Sequence, residues 1–193
     1  MTIPITSDNK KNIIIRTFEK YIKWIISILI FAVLVAFIIF FLNMKQHKEN
    51  IQISNNFNTA RILLQNNKKS QSLKIFKEIV KKNNRFYSVL SLNLILDNEL
   101  EKEKKEIDRL FKIIISNKKI DKENINLIKI KKALYLSTYG NEKDMLETLN
   151  PIVNSKSIWR TEAIKLLGSY YLQKKEYNKS EEYYKLLNNE FNN

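Results

Sequence analysis

The chain has 193 residues, 34 Lys and Arg against 20 Asp and Glu, a formal net charge of +14, and 44% hydrophobic residues. This size suits one domain with an appendage, and the hydrophobic share excludes a disordered tail. Two glycines, two prolines and no cysteine exclude disulfides, thiolate chemistry, Cys-based zinc sites and Gly-rich phosphate loops, and they favour an all-α fold. Lys, Asn and Ile dominate, as an AT-rich coding sequence would supply them, so the net charge alone carries no functional signal.

Residues 1–23 form a polar N-terminal segment carrying Lys10, Lys11, Arg16, Lys20 and Lys23. The run from Trp24 to Leu42, WIISILIFAVLVAFIIFFL, holds no charge. At about 1.5 Å per residue it nearly matches a hydrocarbon core of roughly 30 Å. A backbone in lipid must satisfy its own hydrogen bonds, so a transmembrane helix is expected over 24–44. Trp24 and Leu42 mark its borders, and Trp24 and Lys45 have the character of interface anchors. A cleaved signal peptide would have a shorter apolar run and a small-x-small end. Phe40, Phe41 and Leu42 stand there instead, so an uncleaved anchor is expected. Five basic residues before the span against Lys45 and Lys48 just after it place the N-terminus in the cytoplasm. In a Gram-negative bacterium this is a single-pass inner-membrane protein with its C-terminal part in the periplasm.

From residue 45 to 193 apolar residues recur at three and four positions, as in Leu73, Phe76, Val80 and in Ile107, Leu110, Phe111, Ile114. That spacing makes one helix face apolar. Lys77 is a polar intruder in the first series. Polar breaks near 66–70, 97–101, 117–121, 140–142, 154–157 and 175–178 divide the region, giving about eight helices. Asp121 is expected to cap the helix after it, and Asn178 with Glu181 reads as a capping-box variant. Gly140 is expected as a C-cap, and Pro151 should shorten or kink its helix.

The stretch LLGSYYLQKKEYNKSEEYY, residues 166–184, gives the organisation. Leu167, Gly168, Tyr171, Tyr177, Ser180 and Tyr184 follow tetratricopeptide spacing. Gly168 and Ser180 let two helices approach, and the aromatics fill the space beside them. The pattern recurs upstream. Ser72, Ile107, Met145 and Ser180 are spaced by 35, 38 and 35 residues, near the roughly 34 of this repeat class. Phe76, Phe111, Leu149 and Tyr184 follow in step. Ala60 and Ala133 take the close-contact position on first helices. A hairpin cannot bury its face alone, so three or four must stack. The expected fold is one transmembrane helix followed by an α-solenoid of about four degenerate tetratricopeptide-like hairpins.

With its short head, single span and hairpins over 50–193, and most specifically with WRTEAIKLLGSYYLQKKEYNKSEEYY (Trp159–Tyr184), the chain resembles a bacterial family of single-span inner-membrane proteins with a degenerate tetratricopeptide-like periplasmic domain. The best-known type is the ancillary subunit of the Sec translocon. The layout is similar also to uncharacterised membrane proteins of reduced-genome intracellular bacteria. The family usually has Gly-Asp after the leucines and Gly in the hairpin turn, where this chain has Ser169 and Lys175. Its type protein is acidic in the soluble part, whereas residues 50–193 here hold 27 Lys and Arg against 17 Asp and Glu. The resemblance implies periplasmic chaperone or assembly work near the translocon.

Chemistry-bearing motifs are sparse. His47 is the single histidine and reads as an interfacial polar residue without a metal partner. The acidic run Asp97–Asp108 alternates with lysines at a helix start and reads as a solvated face. Its calcium-loop likeness through Asp97, Glu99 and Glu101 lacks the turn glycine. Basic clusters at Lys81–Arg85 and Lys129–Lys132 read as solvated faces, with lipid headgroups as the next partner and nucleic acid disfavoured by the membrane tether. Tyr170 and Tyr183, offset by one from the packing positions, are candidate groove residues. No enzyme, metal or cofactor is expected. The expected function is a membrane-tethered scaffold for protein partners or exported clients. A self-associating homo-oligomeric component of an envelope complex is the alternative.

Overall fold

The computed structural model describes the backbone of residues 7–191 and the side chains of residues 21–22 and 24–187. Over these residues the chain is all-helical, with eight helices and no strand. The first helix, α1, spans Ser7–Gln65 and runs without a break through the expected end of the span at residue 44. Its apolar run is exposed throughout, with Trp24 at 62% and Leu42 at 58%. It is long and apolar enough to cross a membrane, a property that N-terminal signal sequences share. Lys10, Lys11, Arg16, Lys20 and Lys23, which carry the orientation argument, lie outside the residues with described side chains.

The chain divides into two compact units, Met1–Gln52 and Ile53–Asn193. The second contains the end of α1 and α2 (Lys69–Lys81), α3 (Tyr87–Asp97), α4 (Lys104–Ile115), α5 (Lys122–Tyr139), α6 (Glu142–Val153), α7 (Arg160–Gln173) and α8 (Tyr177–Phe191). From α2 onward each helix packs on the next, and α2 also touches α4 and α5 touches α7. Two apolar clusters result. One joins Phe57, Phe76, Leu92, Phe111 and their neighbours, and the other joins Ala133, Met145, Leu149, Ile164 and Leu167. α5 serves both, through Ile128 in the first and Ile130 in the second.

A twelve-residue step relates the helices of each pair. Ser72 Oγ donates to the Ala60 carbonyl at 2.8 Å, and Ser180 Oγ donates to the Gly168 carbonyl at 2.8 Å. All four residues are buried. The same step leads from Ile95 to Ile107 and from Ala133 to Met145, again all buried. At Gly168 a side chain has no room, because a Cβ would stand 2.8 Å from Cζ of Tyr184. Phe76, Phe111 and Leu149 are fully buried in the positions the spacing gives them. Tyr177 is not a packing residue. It opens α8 with 62% of its surface exposed, because no later helix covers that first turn among the described residues.

Turns close several helices with a shared geometry. Asn67, Glu99 and Lys175 have φ of 58°, 49° and 61°. At each, the next residue's N–H returns to a carbonyl five positions back, as Glu176 does to Tyr171 at 2.9 Å. This is the Schellman arrangement, which normally takes glycine. Gly140 departs from the expected left-handed cap. Its φ is −99° with extended ψ, and glycine is needed there because Leu136 occupies the space a Cβ would take. Pro151 does not shorten α6, which runs two residues past it and matches α4 in length. Asp121 caps α5 as expected, accepting from the Asn124 N–H at 2.9 Å. Asn178 lies inside α8 and is not its cap.

Candidate functional site

The polar intruder Lys77 has a partner set. Its ammonium pairs with Glu101 and with Glu106, the latter at 3.5 Å. Glu101 also accepts from the N–H groups of Lys102 and Glu103 at 2.8 and 2.9 Å. Glu106 is held by Arg109 through two bonds of 2.8 Å. The acidic run is therefore no simple solvated face, since two of its carboxylates dock the α3–α4 connection onto α2. Burial pushes Glu101 up, but Lys77 and the two backbone donors outweigh it and leave the carboxyl below its ordinary range. Arg109, then Lys77, holds Glu106 low as well.

This pinned connection forms one wall of a cleft of about 600 Å³. Buried Ile95 and Ile107 reach its lining, and α5 supplies the facing wall through Leu134, Tyr135 and Tyr139. Tyr135 packs with Phe111 at 6.3 Å and with Tyr139 at 5.1 Å between ring centroids. Lys104 lies 4.8 Å over the Tyr139 ring, a cation–π distance. Lys131 of α5 faces Asp97 of α3 at 3.6 Å. Leu134 is 51% exposed and Tyr139 56%. Burial raises the Tyr135 hydroxyl pKa, with Asp108 adding to it, so the phenol stays neutral. The cleft thus combines buried Ile95 and Ile107 and two exposed apolar side chains on one wall with the charged lining residues Asp97, Glu99, Glu101, Lys102, Lys104 and Lys131. Its volume is that of a pocket for a small ligand or one to two side chains.

The expected groove residues lie elsewhere. Tyr170 is buried at 6% exposure and belongs to the second core cluster. Tyr183 is half-buried and stacks on Tyr171 at 5.6 Å with an interplanar angle of 12°. The offset by one residue turned Tyr170 inward, because α7 is covered by both α6 and α8. Tyr171 donates to Glu142 at 2.7 Å, and Lys179 bridges Glu142 and Glu176 at 2.9 and 2.7 Å. Burial first, then the bond to Glu142, raises the Tyr171 hydroxyl pKa. This aromatic and ionic cluster ties α6, α7 and α8 together, with Tyr170 buried in the core beside it and Tyr183 half-buried within it.

Leu134, Tyr135 and Tyr139 were not singled out by sequence. The available signal was a tyrosine pair four apart beside an exposed leucine in LYLSTY, on a helix without a single apolar stripe. His47 is exposed on α1, and no group of three or more His, Cys, Asp or Glu is placed to hold a metal among the described residues. No protein-family model, curated protein or solved structure matches the chain.

Proposed function

We propose that the protein is a membrane-anchored scaffold whose helical domain binds protein partners without catalysing a reaction. The observation that carries this reading is the α3–α5 cleft, a cavity of about 600 Å³ lined by both apolar and charged residues and flanked by exposed Leu134 and Tyr139. Such a surface accepts apolar side chains of a peptide or partner helix, while the Lys and Asp groups at its rim meet polar backbone. In this reading the exposed apolar run of α1 is a single span in a bacterial inner membrane, with the N-terminus cytoplasmic and the domain periplasmic. The helix pairs form a tetratricopeptide-like stack, and tethering raises their local concentration beside a membrane complex. The resemblance in sequence supports a site of work near the protein-export machinery, on exported clients or on translocon subunits. No nucleic acid and no cofactor takes part.

The test is in-cell crosslinking of tagged full-length protein, mild-detergent purification and mass spectrometry. Enrichment of translocon subunits or newly exported proteins over a variant lacking Trp24–Leu42 is expected. Recovery of the protein alone overturns client binding. It would favour self-assembly instead, a reading supported by exposed Leu172 and Tyr177 on the last hairpin.

A further inference from the structure

The connections between successive pairs lie along one edge of the helical domain. Tyr87, at the start of α3, donates to Ser54 at 2.8 Å, which places the α2–α3 turn beside the point where α1 enters the domain. Asn117 of the α4–α5 turn donates its side chain to the Asn83 carbonyl at 3.0 Å. Ser157 of the α6–α7 turn donates to Glu123 at 2.6 Å, and the Ile158 N–H reaches the same oxygen at 3.2 Å. A chain of contacts therefore runs from Ser54 through three turns.

This edge is basic. Lys82, Arg85, Lys118, Lys119, Lys122 and Lys156 are exposed. None of these six is in an ion pair among the described residues. The acids nearby are mostly engaged: Glu78 by Lys81, Asp121 as a helix cap, and Glu123 by Ser157 and Ile158. Glu78, Asp121 and Glu162 are exposed among them, so the six cations outnumber the exposed acids. Two large apolar side chains protrude among the cations, Phe86 at 58% and Ile158 at 76% exposure. Both are held at the backbone. Asn84 Oδ1 accepts from the N–H groups of Phe86 and Tyr87 at 3.0 and 2.9 Å, and Glu123 fixes Ile158.

We infer that this edge docks on the surface of a bilayer containing anionic phospholipid, with the cations at the headgroups and Phe86 and Ile158 in the interface. Lysines and arginines near such a surface each strengthen attachment roughly fivefold, and apolar side chains add burial at the headgroup level. Nucleic acid would meet the cations but offers no partner for an aliphatic Ile158. The chain reaches Ser54 only twelve residues after Leu42, so in the anchored reading, on which this inference rests, a bilayer is at hand.

The chain has no cysteine, so single nitroxide labels can be placed at will. Full-length protein with Phe86→Cys, Ile158→Cys, Lys68→Cys or Ala36→Cys would be put into nanodiscs of phosphatidylcholine with or without phosphatidylglycerol. Accessibility to oxygen against a water-soluble nickel chelate then reports immersion. Labels at 86 and 158 are expected to read lipid with phosphatidylglycerol present, while a label at 68, in the turn at the other end of α2, reads water. Replacing Lys82, Arg85, Lys118 and Lys119 by glutamine should weaken docking about fivefold per cation. Water-like labels at 86 and 158 with phosphatidylglycerol present overturn the inference, as does equal immersion in neutral discs. Labels that stay in water and become immobilised only on adding extracted membrane proteins overturn it in favour of a protein partner. A lipid reading at 36 with water readings at 86 and 158 sinks the docking alone, whereas a water reading at 36 sinks the anchor.

Discussion

Gly168→Ala separates helix propensity from packing at the α7–α8 contact. In an open helix interior alanine is favoured over glycine by about 1 kcal/mol. Here the added methyl would stand 2.8 Å from Cζ and 3.0 Å from Cε1 and Cε2 of Tyr184. Carbon atoms in good contact are about 3.5 Å or more apart, so the ring must retreat by roughly 0.7 Å. The two helices cannot part freely, because Ser180 holds α8 to the Gly168 carbonyl. The ring must swing instead and give up its bond to Ser169 and part of its packing. Overpacking of this kind costs about 1–3 kcal/mol. Set against the propensity gain, Gly168→Ala is expected to destabilise the domain by about 1 kcal/mol. With Tyr184→Ala the methyl has room, and the same change should stabilise by about 1 kcal/mol. The cycle of four variants then gives a coupling of about 2 kcal/mol. Urea unfolding in mild detergent, followed by Trp159 emission with Trp24→Phe as the common background, measures it. Stabilisation by Gly168→Ala in both backgrounds would refute the seating of Tyr184 on Gly168.

Lys175 has a left-handed φ of 61° in a turn that favours glycine. Lys175→Gly should raise stability by about 0.5–1 kcal/mol in the same urea assay, and a loss would contradict the turn geometry. Lys77→Met should cost about 1–2 kcal/mol at neutral pH, between the values for exposed and buried pairs, because Glu101 and Glu106 lose a partly buried partner. Both carboxyls are depressed in the folded protein. The stability they contribute is present above their unfolded value, near 4.3, and is lost as pH falls through the lower folded values. The acid limb of the wild-type stability curve should therefore be steeper than that of Glu101→Gln/Glu106→Gln, and parallel curves would rule out the cluster.

The fold was legible where side-chain size repeats. Ser72 and Ser180 mark close helix approaches because a small hydroxyl both fits and reaches a carbonyl twelve residues earlier. Phe76, Phe111 and Leu149 follow four residues after the step position, so their burial could be read from spacing. Ile107 followed from the spacing, but its partner Ile95 did not, because a large residue occupies the position that alanine or glycine takes in the other pairs. Tyr177 and Tyr170 show the limit of periodicity. One stands where, among the described residues, no further helix covers it, and the other is enclosed by neighbours from two sides; neither fact is written in the local sequence. Lys77 looked like an interruption until its partners appeared, and those lie 24 and 29 residues away. The cleft escaped for the same reason, since it is assembled from α3, α4, α5 and an irregular connection.

A photocrosslinking amino acid at Leu134, in full-length protein in its native membrane, addresses partner binding most directly. The comparison is the same group at Lys143, exposed on α6. The proposed scaffold predicts adducts with identified exported proteins or export-machinery subunits at 134 and none of these at 143. It also predicts that Tyr139→Glu, which puts a charge on the cleft wall, abolishes them without changing the amount of protein in the membrane. Equal adducts at both positions, or adducts at 134 that survive Tyr139→Glu, would contradict binding through the α3–α5 cleft.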